Sequence, residues 1–453
     1  LLCKKSRRGE HPVNDDAERA GEGYDAKLNA LGAWLDGAAT TGEVEHAARR
    51  LLLDTLACAA AGFRNVDLAY LGAGEGGFAL PGADARLGPS EAAYVLAVAA
   101  CADEACEGLA FAHGRPGLHA VAAGVGAALR TGASLDRLLD AIVAGFEFGG
   151  RMGGLFRARP GIHVDGTWGL VAATVAARRV FGGDGGALAD AATAGLCQMP
   201  ASLYLPVSQG ADLRNSYSGH AASAGVLIAA SLATGMATPT GAVDAAGGYA
   251  FNRDDDAWVG PGRRLLLEGY LKPYPAVRHT HYGVEAARAW RRANPNAAPA
   301  DFGPVTLQIY PEATVYCGNR APTTPIMGQF SLSYTLAYSL IHGDLTPDAY
   351  EDAVLGDAEL RALEASIGIE AVDGFGAGGA RQARLTVGSG QSAWSMTVDS
   401  APGDASRPLS DAELADKARA FCQGRMEQAR AERLIDAVLE GPGARSVADL
   451  LSG

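Results

Sequence analysis

Positive charge is scarce in this chain. Its 38 lysines and arginines stand against 51 aspartates and glutamates, a formal net charge of -13, and its isoelectric point is near 5.2. Nucleic acids and anionic membrane surfaces are bound by basic faces that displace counterions, so neither is an expected partner. Long apolar runs are missing too. The run Ala92 to Ala102 stops at Asp103, short of the roughly 18 to 20 residues that cross a bilayer. The seven cysteines are scattered, odd in number and without a Cys-x-x-Cys pair, which argues against a disulfide framework or a zinc ribbon and fits a reducing cytoplasm. A glycine-x-serine-x-glycine elbow, a P-loop and a dinucleotide fingerprint in context are absent. The GAGEGG stretch at 72–77 has no preceding strand and no helix directly after it, so it reads as a surface loop.

Glycine is abundant, with 60 residues among 453, and alanine accompanies it. Small side chains let helices approach closely, and a chain of this length exceeds one small core, so two unequal domains are expected. The opening 23 residues carry charges at once and read as a disordered leader rather than a signal peptide. Leu28, Leu31, Trp34 and Leu35 then start a helical stripe. Thr40 with Glu43 predicts a capping box for a second helix, Ser90 a cap for a third, and Ser134 a cap for a strongly amphipathic one. GLVAATVAARRVF, ALADAATAGL and AASAGVLIAASLA continue the helical pattern, and no strand is evident before residue 267. These residues, 24–267, read as the first part of a helical domain.

Beyond Lys272 the pattern changes. Val305, Leu307 and Ile309 alternate as in a half-buried strand, and Leu385 and Val387, a GSGQS turn, then Trp394, Met396 and Val398 predict a hairpin. Pro347 after Thr346 predicts a helix start. From Ser410 and Glu413 the helical pattern returns. The expected architecture is mainly α with an α+β part: a large helical body, an α+β lid at 268–404, and a helical return at 405–453.

At the seam lies EGYLKPYPAVRHTHYG, residues 268–283. Pro273 and Pro275 forbid a helix there and hold Lys272, Arg278, His279 and His281 on a stiff, extended strip. In an acidic chain such a strip suits a small anion, and clefts between domains are where ligand sites concentrate. His279-x-His281 lacks the further ligands of a metal site, so none is expected. Four other stretches place polar groups in apolar surroundings: ADEACEGLAFAHGRPGLHA with Asp103, Glu104, Glu107, His113, Arg115 and His119; RPGIHVDGTWG with His163; ADLRNSYSGHAASAG with Arg214; and GQFSLSYTLAY with Tyr334.

YLKPYPAVRHTH, GIHVDGTWGLVAA, SGHAASAGVLIAASLATG and FSLSYTLAYSLIHG, in this order across nearly the whole chain after Tyr24, resemble the MmgE/PrpD superfamily. That superfamily contains 2-methylcitrate dehydratase, cis-aconitate decarboxylase and iminodisuccinate epimerase. The resemblance implies a helical domain with an α+β lid, a homodimer, a small carboxylate substrate and no cofactor. His163, Lys272 and Tyr334 fall on the family's active-site histidine, lysine and tyrosine, and Arg214 where some members carry lysine. The first stretch departs from the family's aspartate-rich run and His-Pro: Arg115 stands at the usual histidine, leaving His113 or His119 to replace it and Asp103, Glu104 or Glu107 to supply the carboxylate.

The chemistry implied is proton transfer at a carbon next to a carboxylate. Lys272, Arg214, Arg115, Arg278, His279, His281 and Asp103 are the candidate binding groups, and His163 with Tyr334 or His113 the candidate proton carriers. A lyase on a small polycarboxylate, most like 2-methylcitrate dehydratase, leads. An isomerase, an epimerase or a decarboxylase stays open beside it, as does a non-catalytic dimeric anion-binding protein.

Overall fold

The stripes and caps of the sequence become a helical body in the computed structural model, which describes residues 15–38, 41–65, 77–83, 85–248, 251–379 and 381–452. The first helix, α1 (Asp15–Gly37), begins inside the stretch expected to be leader, and residues 1–14 lie outside the described residues. In α2 (Gly42–Gly62) the cap is Thr41, whose hydroxyl accepts the Val44 N–H, while Thr40 lies outside the described residues. The next helix, α3 (Pro89–Ala102), starts on a proline after Gly88, so Ser90 is already inside it and caps nothing. It is followed by α4 (Pro116–Thr131) and by α5 (Leu135–Leu155), where Ser134 accepts the Arg137 N–H as predicted. Then come α6 (Gly169–Val180), α7 (Gly185–Cys197), the single turn α8 (Leu205–Ser208), α9 (Ser216–Ala233) and α10 (Ala242–Gly247). All but the last of the GAGEGG residues lie outside the described ones.

Glycine sets how closely these helices pack. A Cβ added to Gly62 of α2 would lie 1.9 Å from the Ala99 carbonyl oxygen of α3, and one on Gly32 of α1 would lie 2.1 Å from the Gly185 oxygen of α7. No larger residue fits either crossing. The body also holds short strands that the sequence did not announce: β1 (Phe78–Ala79) with β2 (Arg86–Leu87), and β3 (Phe156–Ala158) with β4 (Phe251–Arg253), both antiparallel. Strands of two or three residues are too short to show an alternating pattern.

After the proline strip, α11 (His281–Ala293) leads into a four-stranded sheet of β5 (Val305–Ile309), β6 (Gly368–Ala371), β7 (Ala383–Val387) and β8 (Trp394–Val398), ordered β6-β5-β7-β8. The predicted hairpin is present as β7 and β8, with Leu385 opposite Met396. Strand β6 runs parallel to β5 at the edge; none of its residues is fully buried, so it carries no hydrophobic signature. Thr346 and Pro347 open only a 3-10 turn (Pro347–Tyr350), not a long helix. This segment has a core of its own, with Tyr274, Leu307, Ile309, Leu336 and Leu385 buried together.

The chain then returns to the helical body. Ser410 and Glu413 form the predicted capping box, with Ser410 N–H donating to Glu413 Oε2 at 2.7 Å. Leu414, Phe421, Leu434 and Val438 join the core of the body. Lys417 anchors the return by donating to Asp54 of α2 at 2.5 Å and to the Ala105 carbonyl at 2.8 Å. Among the described residues no helix is long and apolar enough to cross a membrane.

Candidate active site

Where α3 ends, Glu104 takes a left-handed backbone conformation, φ 52°, which costs a non-glycine residue on the order of 1 kcal/mol. The turn places its carboxylate among three cations. Lys272 Nζ donates to Oε1 at 2.9 Å, Arg115 Nη1 donates to Oε2 at 3.3 Å, and Arg214 Nη2 donates to the same oxygen. Asp165 completes the cluster by accepting from Arg115 Nε at 3.3 Å and Nη2, and from Arg214 Nη1 at 3.4 Å. The Cys101 and Cys106 sulfurs also accept from Arg115, at 3.1 and 3.2 Å. All five charged groups are buried. They come from segments that adjoin the end of α3 and the starts of α4, α6 and α9, plus the proline strip.

Burial by itself would push both carboxyls toward the neutral form. Arg115, Lys272 and Arg214 outweigh it at Glu104, and Arg115, His163 and Arg214 outweigh it at Asp165, so both are held below the ordinary carboxylate range. Both carboxylates are therefore ionised at neutral pH. Removing one partner would strand its neighbour's charge, a loss of about 3 to 5 kcal/mol in comparable buried pairs.

His163 forms the wall beside this floor. Its Nδ1 accepts the Asp165 N–H at 3.0 Å and lies 3.7 Å from Asp165 Oδ2. With Nδ1 accepting, the resting neutral ring carries its proton on Nε2. Burial is the main cause that lowers its pKa to about 4. Tyr204 stacks on the ring at 5.7 Å between centroids, and Tyr217 lies tilted against it at 6.0 Å. Backbone bonds from His163 N–H to Ser202 O, 2.7 Å, and from Tyr204 N–H to Gly161 O, 2.8 Å, clamp the two loops together. From the lid, the Phe330 ring lies 5.7 Å from the Arg214 guanidinium, and the Gln329 side chain donates to Ala102 O at 2.9 Å.

The structure thus brings together Lys272, Arg115, Arg214 and His163 around the candidate carboxylate Glu104. It places the other predicted residues elsewhere. Asp103 is held by Arg64 through two hydrogen bonds, 2.8 and 2.5 Å. His113 is exposed, and its Nδ1 accepts from Arg157 at 2.8 Å. Tyr334 donates its hydroxyl to Ala349 O at 2.5 Å within the lid core. Arg278 binds the carbonyls of Ala401 and Pro402, and His281 is fixed between Arg278 and Ala276 O. His279 meets Tyr310 at 2.5 Å and stacks on Tyr316. His119 has both nitrogens engaged, by Arg115 O and the Gly166 N–H, so it offers none to a substrate.

Glu107 caps α4, accepting from Gly117 and Leu118 N–H at 2.6 and 3.2 Å, and burial raises its pKa to about 7. A cleft of about 760 Å³ lies at another face of the strip, between Arg64, Tyr274, Arg288 and Lys417, away from His163 and Arg214. Among the described residues no three His, Cys, Asp or Glu side chains converge as metal ligands. Asp165 and Tyr204 were missed by the sequence reading. Asp165 stood two residues after His163 in a motif already marked, whereas nothing around Tyr204 signals its role.

Residues 31–254 match the MmgE/PrpD N-terminal domain, and residues 274–441 match the MmgE/PrpD C-terminal domain. The chain belongs to the MmgE/PrpD family. No curated protein matches it. In this MmgE/PrpD protein the two matched spans leave 255–273 between them, so Lys272 sits in the joint and reaches the Glu104 cluster from there. Arg115, which stands where the resemblance places a histidine, is bound to both carboxylates of the floor.

Proposed function

We propose that this MmgE/PrpD protein is a cofactor-independent hydro-lyase, similar in reaction to 2-methylcitrate dehydratase, that moves a proton at the carbon next to a substrate carboxylate. The observation that supports this most is the convergence of Lys272, Arg214 and Arg115 on one buried spot beside a neutral His163. An α-proton is hard to remove because its electron pair enters an enediolate. Fixed cations in a site from which water is excluded oppose that added charge without reorganising.

Lys272 and Arg214 hold the carboxylate and the developing enediolate. His163 exchanges the proton at Nε2. For this its proton must first shift to Nδ1, which gives up its bond from the Asp165 N–H and turns to the Asp165 carboxylate 3.7 Å away, so Asp165 steadies the imidazolium that forms. Collapse of the enediolate forms the double bond and expels the β-hydroxyl. That oxygen takes up a proton as it leaves, and Tyr204, whose ring stacks on His163, is the donor this reading assigns.

Proton exchange can be measured without knowing the full reaction. Carboxylic acids incubated with the protein in deuterated water should lose their α-proton signal by NMR. Lys272→Ala and His163→Phe, each checked for folding by circular dichroism, should slow this at least about 100-fold, the usual scale of a lost acid-base group. Full exchange activity in both folded variants would rule the assignment out.

A further inference from the structure

Glu104 is clamped on both sides of its strained backbone. A left-handed conformation, φ 52°, is one that a non-glycine residue keeps only where its surroundings hold it. The residue before it, Asp103, accepts from Arg64 at 2.8 and 2.5 Å, and Arg64 also donates to Ala61 O near the end of α2, 2.7 Å, and to Pro347 O of the lid, 3.3 Å. The residue after it, Ala105, accepts at its carbonyl from Lys417 Nζ at 2.8 Å. Further on, Gly108 exchanges backbone hydrogen bonds of 3.0 and 2.8 Å with Tyr270, just before Lys272 in the proline strip.

Lys417 is the unusual member of this set. It lies on the helix Asp411–Cys422, 312 residues along the chain from Ala105, and it is buried together with its partner Asp54. One hydrogen of its ammonium goes to Asp54 at 2.5 Å, another to Ala105 O, and the Phe421 ring lies 5.1 Å from the nitrogen. Among the described residues Asp54 Oδ2 has no hydrogen-bond partner, so that carboxylate bonds to Lys417 alone.

A buried ion pair contributes little stability beyond an apolar pair of the same volume. Stability is therefore a poor account of this one, and direction is a better account. A buried carbonyl needs a donor, and a charged donor held from behind by Asp54 fixes where the Ala105 carbonyl points. With Asp103 held on one side and Ala105 on the other, the turn between them keeps one orientation. That orientation sends the Glu104 carboxylate to Lys272 Nζ at 2.9 Å.

We infer that Lys417, backed by Asp54, is a positioning residue for the reaction: it holds the Glu104 turn so that Glu104 can fix the Lys272 ammonium where the substrate carboxylate binds. The inference rests on the reading of the Glu104 cluster as the substrate floor. Lys417 touches no reacting atom, so its effect on the rate depends on Glu104 being present.

Asp54→Leu/Lys417→Met exchanges the pair for apolar side chains and strands no charge. Hydrogen exchange read by mass spectrometry should show the backbone amides of residues 104–108 exchanging at least about tenfold faster than in the parent. Leu434→Ala, a core change that leaves the Lys417 bonds in place, should not single out this segment. The α-proton exchange of 2-methylcitrate, citrate and succinate in deuterated water is the second readout. The double replacement should lower its kcat/KM at least about tenfold, but less than about twofold when made in a Glu104→Gln background. Equal losses in both backgrounds would mean that the pair serves stability alone and would overturn the inference, as would parent-like amide exchange in the folded variant. If the double replacement fails to fold, Lys417→Met alone is read in the same way. If the parent exchanges no α-proton of these acids while the amides quicken in the variant, the proposed function falls and only the hold of Lys417 on the turn survives.

Discussion

Tyr334 and Tyr204 show what a single contact decides. Tyr334 belongs to a motif of the family resemblance, but its hydroxyl is bound to Ala349 O inside the lid core. Tyr204 carries no motif, yet it lies half-buried against His163. Tyr334→Phe should therefore keep the α-proton exchange rate of the parent and lose about 1 kcal/mol of stability, the net worth of one hydrogen bond. Tyr204→Phe should keep its melting temperature within a few degrees and lower turnover at least about 100-fold. Exchange is read by the NMR assay and turnover by loss of water from a β-hydroxy acid, and the reverse ranking would return the proton-donor role to Tyr334. The histidines teach the same lesson: His163 is hydrogen-bonded through Nδ1, while His119 and His281 have both nitrogens bonded within the protein.

At the scale of elements, the proline strip is held in place by the loop that ends the lid. Arg278 binds the carbonyls of Ala401 and Pro402 and pairs with Asp404, while Leu271 N–H donates to Gly403 O at 3.2 Å. Gly403 has φ +88°, and a Cβ there would lie 1.8 Å from the Leu271 carbonyl oxygen. Both the backbone angle and the close approach require glycine. Gly403→Ala should push the strip at the residue before Lys272, lowering stability by roughly 2 to 4 kcal/mol and raising KM together with lowering kcat. Denaturant unfolding and steady-state kinetics read the two effects. A variant with the parent's stability would show that the strip is not strapped by this loop. Proline's fixed φ made the strip legible as non-helical. Its strap, more than a hundred residues away in sequence, was not.

The whole molecule carries buried histidines whose pKa values move the same way. Burial lowers His163 from 6.5 to about 4 and His279 to about 3, and lowers His119 and His281 as well. Between pH 6.5 and about 4 the unfolded chain binds protons at these sites that the folded one refuses, so stability falls as pH falls. His163 alone contributes a loss of about 3 kcal/mol by the bottom of that window. Glu104 and Asp165, held below the usual carboxylate range, add a further loss in more acid solution. Glu107, raised from 4.5 to about 7, acts in the opposite sense, its contribution fading as pH rises. The melting temperature should drop steadily from pH 6.5 to 4. A flat or rising melting temperature across that interval would mean that these rings are not buried neutral.

Local interactions explain what the amino-acid sequence determined by itself. Apolar spacing at Leu28, Leu31 and Leu35, the caps at Ser134 and Ser410, and the alternation at Val305, Leu307 and Ile309 each act within a few residues, and each is present in the fold. Thr40 was read one position off from the cap at Thr41, Ser90 follows a proline that already starts its helix, and Thr346 with Pro347 marks a true start whose element is only a 3-10 turn. Lys272, His163, Arg115 and Arg214 were legible as unusual polar groups in apolar company. Only the tertiary structure decided that these four meet, that Glu104 and Asp165 pair with the cations among them, and that Asp103, His113, Tyr334 and Arg278 serve other contacts. A buried charge is defined by the partners around it, and those partners come from segments far apart in the chain.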